Sequence, residues 1–318
     1  MLMSVTIKDV AKAANVSVAT VSRVLNKKSN VSEEAIQAVN SAVQALGYSP
    51  SFLGRDLRKS ETRRILAIIA STEQSFYSDV IRGMEVAAFS QGYDVLIATT
   101  HDDPNHEMHL LGMLFSRAVD GAVLLGPKLD AATINSLGEK HNIAMCLERL
   151  DNCNVLTVTI DNVKAGRDAV NYLIRKGHKK IGLITTLQRS QSSIDREIGY
   201  VYFGGYETEQ GMRGCEYLMN LPSPPTAIFS ISDIIAIGAM NYALSKGYRI
   251  GKDLIFMGFD NIQYSHMFVP HLSTVEQPCY AQGKLVIEKL IENMKATNPD
   301  HNLYTLPHSL VLRESTGD

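Results

Sequence analysis

The sequence predicts two folds in one chain: a small all-α head, and an α/β body made of two doubly wound parallel-sheet lobes. Three observations support this prediction. The first sixty residues show helical periodicity with capping residues at the helix starts. After residue 64, short apolar runs alternate with amphipathic helices, which indicates parallel sheets covered on both faces. Finally, 318 residues exceed the length of one ordinary domain.

Charge is divided unevenly between the two parts. Residues 1–64 contain ten Lys and Arg against five Asp and Glu, a balance of +5, and the rest of the chain contains 21 against 28, a balance of −7. A basic head on an acidic body predicts that the head meets a polyanion. Ordinary scatter of solvated charge would give similar counts, so this observation leaves both interpretations open.

The chain shows no run approaching the roughly eighteen apolar residues that a membrane span requires. The opening "MLMSVTIKDV" has neither the basic start nor the apolar stretch of an export signal. We therefore expect a cytoplasmic protein without membrane contact. Four scattered cysteines without a CxxC pair predict reduced thiols.

The first two predicted helices form a helix-turn-helix. "TIKDVAKAA" begins with Thr6 as the N-cap and Asp9 three residues later, which is the pattern of a capping box. Asn15 tolerates the left-handed conformation of a sharp turn, and Ser17 can cap a second helix at once. On that helix Val21 faces inward, while small and polar residues share the outer face. Such a second helix can enter a major groove of DNA.

The outer face suits contact with DNA. Val18 and Ala19 can touch thymine methyl groups, and Arg23 can donate two hydrogen bonds to a guanine. Hydroxyl and amide side chains beside them can hold phosphates. A surface helix with a harmless polar face remains the alternative. The predicted DNA contacts within the head are Thr6, Ser17, Val18, Ala19, Thr20, Ser22, Arg23, Asn26 and Ser32.

A third helix is expected from about Ser32 to Leu46, with Ile36 among its core-facing residues and Gly47 as its stop. The next stretch, "YSPSFLGRDLRKSETRR", predicts a short hinge helix that is marginal in water, because it is short and contains Gly54. The predicted domains are a head over 1–49, a hinge over 50–62 and a body over 63–318. In the body, lobe one is expected over about 63–159 and 277–296, and lobe two over about 160–276 and 297–318.

Residues 5–60 resemble the head and hinge of the LacI family of bacterial transcription regulators. The family signature is similar to "TIKDVAKAANVSVATVSRVLN" almost without a break. The resemblance implies a homodimeric repressor on a pseudo-palindromic operator, with paired hinge helices and Leu57 wedged into the minor groove. Gly54 stands where the family usually has alanine, which implies a looser hinge.

The body resembles the effector-binding core of the same family, itself similar to periplasmic sugar-binding proteins. The matching stretches are "VNYLIRKGHKKIGLI", "PPTAIFSISDIIAIGAM" and "GFDNI". Similarity in "GRDLRKSETRRILAII", "VIRGMEVAA" and "NLPSPPTAIF" favours a nucleoside effector such as cytidine, with a sugar or a purine as the alternative. The same resemblance implies a protein co-regulator of the cyclic-AMP receptor type.

Positions of the family's effector site carry over one by one. Asp260 in "GFDNI" matches the carboxylate that accepts hydrogen bonds from effector hydroxyls, and Arg196 matches an arginine that donates to them. Asp260 as a cap of the following loop, and the aromatic pair Phe76 and Tyr77 as core or dimer contacts, stay open as alternatives. The predicted effector-binding residues are Phe76, Tyr77, Glu148, Arg196, Asp233, Asp260 and Gln277.

The sequence departs from the family pattern after "REIGY". The family has a helix and a strand before its next helix, whereas "VYFGGYETEQGMRG" follows directly here. About fifteen to twenty residues are missing, the size of a helix and its loop. We therefore expect lobe two to lack one covering helix, close to the predicted effector contact Arg196.

Other classes of function find little support in the motifs. No GxGxxG follows a predicted strand, and "GYRIGKD" lacks the spacing of a phosphate loop, so neither an enzyme nor a bound cofactor is predicted. "SQSS" near Arg189 has no His or Asp partner for nucleophilic catalysis. A solute-binding protein without DNA function remains the alternative class. One cluster could suggest a metal site, although its spacing is irregular and a solvated loop explains it: His101, Asp102, Asp103, His106 and His109.

Overall fold

The computed structural model describes residues 5–25, 31–48, 61–72, 76–186, 200–205 and 207–318. The chain divides into two compact units, one ending at Thr62 and one beginning at Arg63. Across the described ranges, none of the helices combines the length and apolar character needed to cross a bilayer. The helices are α1 (Ile7–Ala13), α2 (Val18–Leu25), α3 (Glu33–Leu46), α4 (Tyr77–Ser90), α5 (Pro104–Phe115), α6 (Ala131–Gly138), α7 (Asn162–Arg175), α8 (Thr208–Met219), α9 (Asp233–Ser245) and α10 (Cys279–Lys295). The strands are β1 (Arg64–Ile69), β2 (Asp94–Thr99), β3 (Gly121–Leu125), β4 (Ile143–Cys146), β5 (Leu156–Ile160), β6 (Ile181–Thr186), β7 (Tyr200–Gly204), β8 (Ala227–Ser230), β9 (Ile255–Asp260), β10 (Ser273–Glu276), β11 (Leu303–Leu306) and β12 (Ser309–Val311).

The head packs α1, α2 and α3 around a small core centred on Val10, Val21 and Val39, which are fully buried. Asn15 has the predicted left-handed conformation between α1 and α2, with φ of 51°. The expectation that Ile36 faces the core is wrong, because its side chain is 37 % exposed. The inward face of α3 includes Ala42, and Ile36 lies about 120° around the helix from it.

Sheet one has six parallel strands in the order β11–β5–β4–β3–β1–β2. One core cluster joins one face of this sheet to α4 and α10, and a second joins the other face to α5 and α6. Its central strands are buried along their length, as Gly121–Leu125 shows. This is the doubly wound arrangement predicted for lobe one.

Sheet two has the order β12–β10–β9–β8–β6–β7, and only β12 runs antiparallel to its neighbour. Helices α8 and α9 pack against each other over one core cluster that also includes residues of α7. The central strand Ile255–Asp260 is buried throughout and ends at the carboxylate predicted to meet the effector.

The expected boundary of lobe two is wrong near the end of the chain. Strand Leu303–Leu306 pairs in parallel with Leu156–Ile160 and thereby completes sheet one, whereas 297–318 was expected in lobe two. Only the strand Ser309–Val311 and the residues after it join sheet two. The chain therefore passes between the lobes after β5, after β10 and after β11.

The segment that follows "REIG" forms a strand and does not lead directly into the next helix. Residues Tyr200–Gly204 form β7, an edge strand parallel to β6. The sequence "YVYFG" consists of β-branched and aromatic residues that favour a strand, followed by glycine. The missing covering helix stays a prediction, because residues 187–199, which precede this strand, lie outside the described residues, as do Asn26, Leu57, Arg196 and nearly all of the hinge.

Each lobe contains a pair of helices whose backbones touch at glycines. A Cβ added to Gly83 of α4 would lie 2.1 Å from the Tyr280 carbonyl oxygen of α10, and one on Gly283 would lie 2.0 Å from the Val80 oxygen. In lobe two, a Cβ on Gly238 of α9 would lie 1.9 Å from the Thr208 oxygen. Such distances are shorter than any van der Waals contact, so these crossings require glycine.

Candidate functional site

The second helix of the head presents the surface predicted to read DNA. Val18, Ala19 and Arg23 are exposed, whereas Val21 behind them is fully buried. Ser22 is half-buried on the same side and has an interaction of its own. The exposed face thus combines small apolar groups with one long cation, which is a combination that fits a major groove.

Several hydroxyls predicted to hold phosphates are helix caps. Ser17 Oγ accepts a hydrogen bond from the Thr20 backbone N–H at 3.1 Å and lies 2.9 Å from the Thr20 hydroxyl. Ser32 Oγ accepts from the Ala35 N–H at 3.4 Å. These side chains position the helix starts, where unpaired backbone N–H groups and the helix dipole favour anions.

Thr6 and Asp9 form the predicted capping interaction at the start of α1. The Asp9 carboxylate accepts hydrogen bonds from the Thr6 hydroxyl at 2.7 Å and from the Thr6 backbone N–H at 2.8 Å. The hydroxyl contributes most and the N–H next to lowering the pKa of Asp9. Thr6 therefore orients the first turn of the helix-turn-helix, and any contact with DNA remains a prediction.

A cavity of about 550 Å³ lies in the body, at the end of β9 and beside the passage from β10 to α10. Such a volume accommodates a small polar metabolite. In the described part of the chain, carboxylates of Asp79, Asp260 and Glu276 line it together with the guanidinium of Arg82. Aromatic side chains line it as well: Phe76, Tyr264 and Tyr280.

Two predicted effector residues meet in this cavity. Gln277 Nε2 donates a hydrogen bond to Asp260 Oδ1 at 2.6 Å, and both side chains are buried. Gln277 Oε1 is also buried and has no hydrogen-bond partner among the residues that the structure describes. A buried acceptor without a partner is costly, so this oxygen is poised to accept a hydrogen bond from a ligand.

The aromatic pair divides between the cavity and the core. The Phe76 ring lines the cavity and lies 4.3 Å from the Tyr77 ring, centroid to centroid. Tyr77 is buried, and its hydroxyl donates to the Leu125 carbonyl oxygen at 3.4 Å. Tyr77 does not line the cavity, so the alternative interpretation as a core residue holds for it. Adjacent residues of a helix point in directions about 100° apart around its axis, so the two neighbouring side chains have different surroundings.

Asp233 is a buried structural residue and does not line the cavity, contrary to the expectation. Its Oδ2 accepts from the Ile262 backbone N–H at 2.9 Å, and its Oδ1 accepts from the Thr274 hydroxyl at 2.6 Å. Complete burial raises the pKa of the Asp233 carboxyl well above its usual range, and the negative charge of Asp260 adds to this. Asp233 thus holds the loop that follows β9.

Of the two remaining predicted contacts, the structure describes only Glu148. Glu148 follows β4, is half-buried and has an interaction of its own, but it is not among the residues that line the cavity. Arg196 lies outside the described residues. Glu148 therefore does not add to the group formed by Phe76, Asp260 and Gln277.

Sequence reasoning missed several residues that line the cavity. Arg82 Nη2 donates to Asp79 Oδ1 at 2.9 Å, and its guanidinium lies 5.2 Å from the centre of the Tyr280 ring. Glu276 accepts from the Asn261 side-chain amide at 3.2 Å. These contacts join residues up to about two hundred positions apart, and no local pattern reports such a distance. The only available signal was the closeness of Glu276 and Tyr280 to Gln277 in the chain.

The histidine and aspartate cluster has structural partners. Asp103 caps α5 by accepting from the Asn105 N–H at 2.9 Å, and Asp102 pairs with Lys128 at 2.9 Å. The rings of His106 and His109 lie 6.2 Å apart, centroid to centroid. Within the described part of the chain, no group of three or more His, Cys, Asp or Glu is arranged to hold a metal ion.

Both parts of the chain match known protein families. Residues 6–51 match the model of bacterial regulatory proteins of the lacI family, and residues 170–316 match the periplasmic binding protein-like domain. The HTH-type transcriptional repressor CytR of Escherichia coli (strain K12) is 34 % identical over 98 % of this chain and 96 % of its own. Catabolite control protein A of Priestia megaterium is 31 % identical over 99 % of this chain and all of its own.

Solved structures share the fold. The lac repressor dimer bound to operator and the anti-inducer ONPF has a TM-score of 0.87 at 23 % identity, covering 98 % of this chain and 99 % of that one. A LacI-family regulatory protein from Chloroflexus aggregans has a TM-score of 0.71 at 27 % identity, covering 80 % of this chain and 98 % of its own.

A helix-turn-helix head joined to a two-lobed, periplasmic-binding-like body defines a ligand-responsive DNA-binding regulator. This chain belongs to the LacI family of bacterial regulatory proteins. Like these relatives, it is a transcription regulator and not an enzyme. Members of the family bind DNA operators and small-molecule effectors, typically as dimers.

Proposed function

We propose that this regulator is a repressor whose effector is a nucleoside such as cytidine, bound in the cavity beside Asp260 and Gln277. The observation that carries the proposal is this buried pair of acceptors next to aromatic rings. The carboxylate and the Gln277 oxygen can accept from hydroxyl or amino groups, and the Phe76 ring can lie against a flat base. The similarity to CytR supports the same class of effector.

A sugar is the alternative effector, because vicinal hydroxyls also donate to a carboxylate. A purine is the other alternative, since its ring could lie against the same aromatic residues. A sugar and a base need different groups in the cavity. A sugar needs mainly acceptors, whereas a base also needs a flat apolar surface such as Phe76 or Tyr280 provides. The experiment below therefore includes all three classes.

We propose that a homodimer binds a pseudo-palindromic operator, with one head per half-site. Arg23, Val18 and Ala19 would contact base edges. The remaining predicted contacts would bind the DNA backbone and so position the head on the duplex. Helix α4 is the proposed contribution of lobe one to the dimer, supported by the exposure of apolar side chains there, with Phe89 82 % exposed.

The effector would act through the angle between the lobes. Asp260 belongs to lobe two, Phe76 belongs to lobe one, and Gln277 lies where the chain passes between them. A ligand that contacts all three favours one angle over others, which shifts the equilibrium away from the DNA-binding form. A co-regulator of the cyclic-AMP receptor type and a cytoplasmic location remain predictions of the sequence.

Two measurements test this function. Genomic fragments are selected on the purified protein with and without ligands, and the bound duplex is titrated at rising salt; binding that weakens steeply supports the regulator. Thermal shifts are recorded with cytidine, other nucleosides, purines and sugars. Stabilisation by sugars alone would show that the effector is a sugar and not a nucleoside. Failure to retain any fragment at low salt would contradict DNA binding.

A further inference from the structure

Arg313 ties the end of the chain to the loop that follows β9. One terminal nitrogen, Nη1, donates to the Leu272 carbonyl oxygen at 2.6 Å and to Ser265 Oγ at 3.0 Å. The other, Nη2, donates to Asn261 Oδ1 at 2.7 Å. The Arg313 backbone N–H donates to Ser273 Oγ at 2.7 Å. One side chain thus binds three separate points around the loop.

The loop has an unfavourable backbone at the residue predicted to meet the effector. Asp260 has φ of 111° and Asn261 has φ of 55°, both in the region that side chains disfavour. Conformations of this kind are unfavourable for residues other than glycine and persist only where the surroundings hold them. They are found most often at ligand sites and switch regions.

The surrounding residues hold the loop mainly through hydrogen bonds to Asn261. Its Oδ1 accepts from Arg313 and also from the Ser265 hydroxyl at 3.2 Å, and its Nδ2 donates to Glu276 Oε1 at 3.2 Å. Its backbone N–H donates to Thr274 Oγ1 at 3.3 Å. Asn261 and Glu276 line the cavity, whereas Arg313 does not. The hydrogen bonds of Arg313 therefore reach the cavity through the loop, at Asn261.

We propose that Arg313 is a positioning residue of the effector site: by holding Asn261, it keeps the Asp260 carboxylate beside Gln277 and facing the cavity. The proposal rests on the proposed function for the identity of the ligand, and on the contacts above for the mechanism. A lysine could not replace Arg313, because its single ammonium lacks the planar fork that reaches Ser265, Leu272 and Asn261 together.

The first test needs no ligand. Amide hydrogen exchange is measured on the full-length protein and on Arg313→Ala and Arg313→Lys variants, with Arg249→Ala as the matched control. Arg249 also lies in lobe two, where it pairs with Asp253 on the surface. We expect exchange in 260–265 to become at least about tenfold faster in both Arg313 variants, while the interior of α9 is unchanged.

Two outcomes of the exchange measurement would overturn the proposal. One is unchanged exchange in 260–265 in Arg313→Ala. The other is equal acceleration throughout lobe two, which would show that Arg313 supports the whole lobe and not the loop. The Arg249→Ala control should leave both regions as they are in the unaltered protein.

The second test separates positioning from general support by a double-mutant cycle. Arg313→Ala should weaken cytidine binding about ten- to a hundredfold without changing affinity for operator DNA. In an Asn261→Gly background the loss should be several-fold smaller, because glycine adopts positive φ without strain. Equal losses in both backgrounds would contradict the mechanism. If no nucleoside, purine or sugar binds the unaltered protein, the proposed effector fails, and the exchange measurement still decides the role of Arg313.

Discussion

Gln277 Nε2 and Asp260 Oδ1 are joined by a 2.6 Å hydrogen bond between the passage from β10 to α10 and the end of β9. The bond fixes the amide orientation, so that its carbonyl oxygen stays buried without a partner in the described structure. Two acceptors from two parts of the chain are thus presented side by side. A ligand that donates to both would connect the two lobes through one small group of atoms.

Replacing the carboxylate tests its role in effector binding. Asp260→Asn keeps the size of the side chain and a residue type that tolerates positive φ, but it removes the charge. Since hydrogen bonds to a charged group contribute about 1.5–3 kcal/mol, cytidine should bind roughly 10- to 150-fold more weakly. Calorimetry measures the affinity, and operator binding should stay intact while its response to effector is lost. Asp253→Asn, a surface aspartate of the same lobe, is the control; a normal response in Asp260→Asn would remove that residue from the site.

The charge of the cavity predicts discrimination against phosphorylated ligands. Among the lining side chains that the structure describes, Asp79, Asp260 and Glu276 outnumber the one arginine, Arg82. A carboxylate near a protein surface repels a phosphate about 8 Å away by about 2 kcal/mol before screening. Cytidine 5′-monophosphate should therefore bind at least about tenfold more weakly than cytidine. Equal affinities by calorimetry at 0.15 M salt would show that the phosphate points away from these groups.

Arg23→Ala tests the reading of DNA. The exposed guanidinium can donate two hydrogen bonds to one guanine, so its loss should cost about 1–3 kcal/mol of discrimination. Binding of the selected operator is compared with binding of operators altered at each base pair. Lys12→Ala, another exposed cation of the head, is the control and should leave sequence preference unchanged. The same preference in Arg23→Ala as in the unaltered protein would exclude Arg23 from base reading.

Glu107 predicts a pH dependence of stability. Its Oε2 accepts from the N–H groups of Lys128 and Leu129 at 2.7 and 3.3 Å, and Oε1 is buried without a partner in the described ranges. Burial raises the pKa of the Glu107 carboxyl above its usual range, so the folded state keeps the proton to higher pH than the unfolded state does. Stability from the protonated form is complete below the unfolded pKa and is lost as pH rises through the folded pKa.

The matched variant is Glu107→Gln, which cannot ionise. Its melting temperature relative to the unaltered protein should rise as pH increases from about 4 to 8. Asp130→Asn gives the opposite sign, because hydrogen bonds from Thr133 lower the pKa of that N-cap carboxyl and its contribution is lost as pH falls. A difference for Glu107→Gln that does not change with pH would mean that Glu107 ionises equally in both states.

Replacing glycine by alanine should have opposite effects at two helix positions, one at a helix contact and one in open space. Gly238→Ala would place its methyl group 1.9 Å from the Thr208 carbonyl oxygen, so overpacking should lower the free energy of unfolding by at least about 1–3 kcal/mol. Gly112→Ala meets nothing within 4 Å in helix α5 and should raise it by about 0.5–1 kcal/mol. Melting temperatures compare the two. Stabilisation by both alanines would show that α8 and α9 can move apart without cost.

Much of the secondary structure follows from short-range chemistry. Asn15, Ser17 and Gly47 were predicted to turn or cap the chain, and each does so in the structure. These effects involve neighbours within four residues, so local sequence is enough to decide them. Strand β7 was not predicted, although "YVYFG" has the aromatic and β-branched residues that favour a strand.

The candidate site shows where local reasoning ends. Phe76 and Tyr77 are neighbours in the chain, yet one lines the cavity and the other packs in the core. Asp233 and Asp260 both stand at strand ends with similar sequence signals, and only Asp260 reaches the cavity. Their difference depends on Thr274 and Ile262, which come from other elements.

The order of residues along the chain thus decides the helix caps, the alternation of strands and helices, and the two-part organisation, because each depends on contacts between near neighbours or on the repeat of apolar residues. Tertiary packing alone decides that the Asp233 carboxylate supports a loop and that the Asp260 carboxylate lines the cavity. It also places Leu303–Leu306 in sheet one and brings Arg313 to Asn261. Hydrogen bonding and burial act through space, where residues distant in sequence become neighbours.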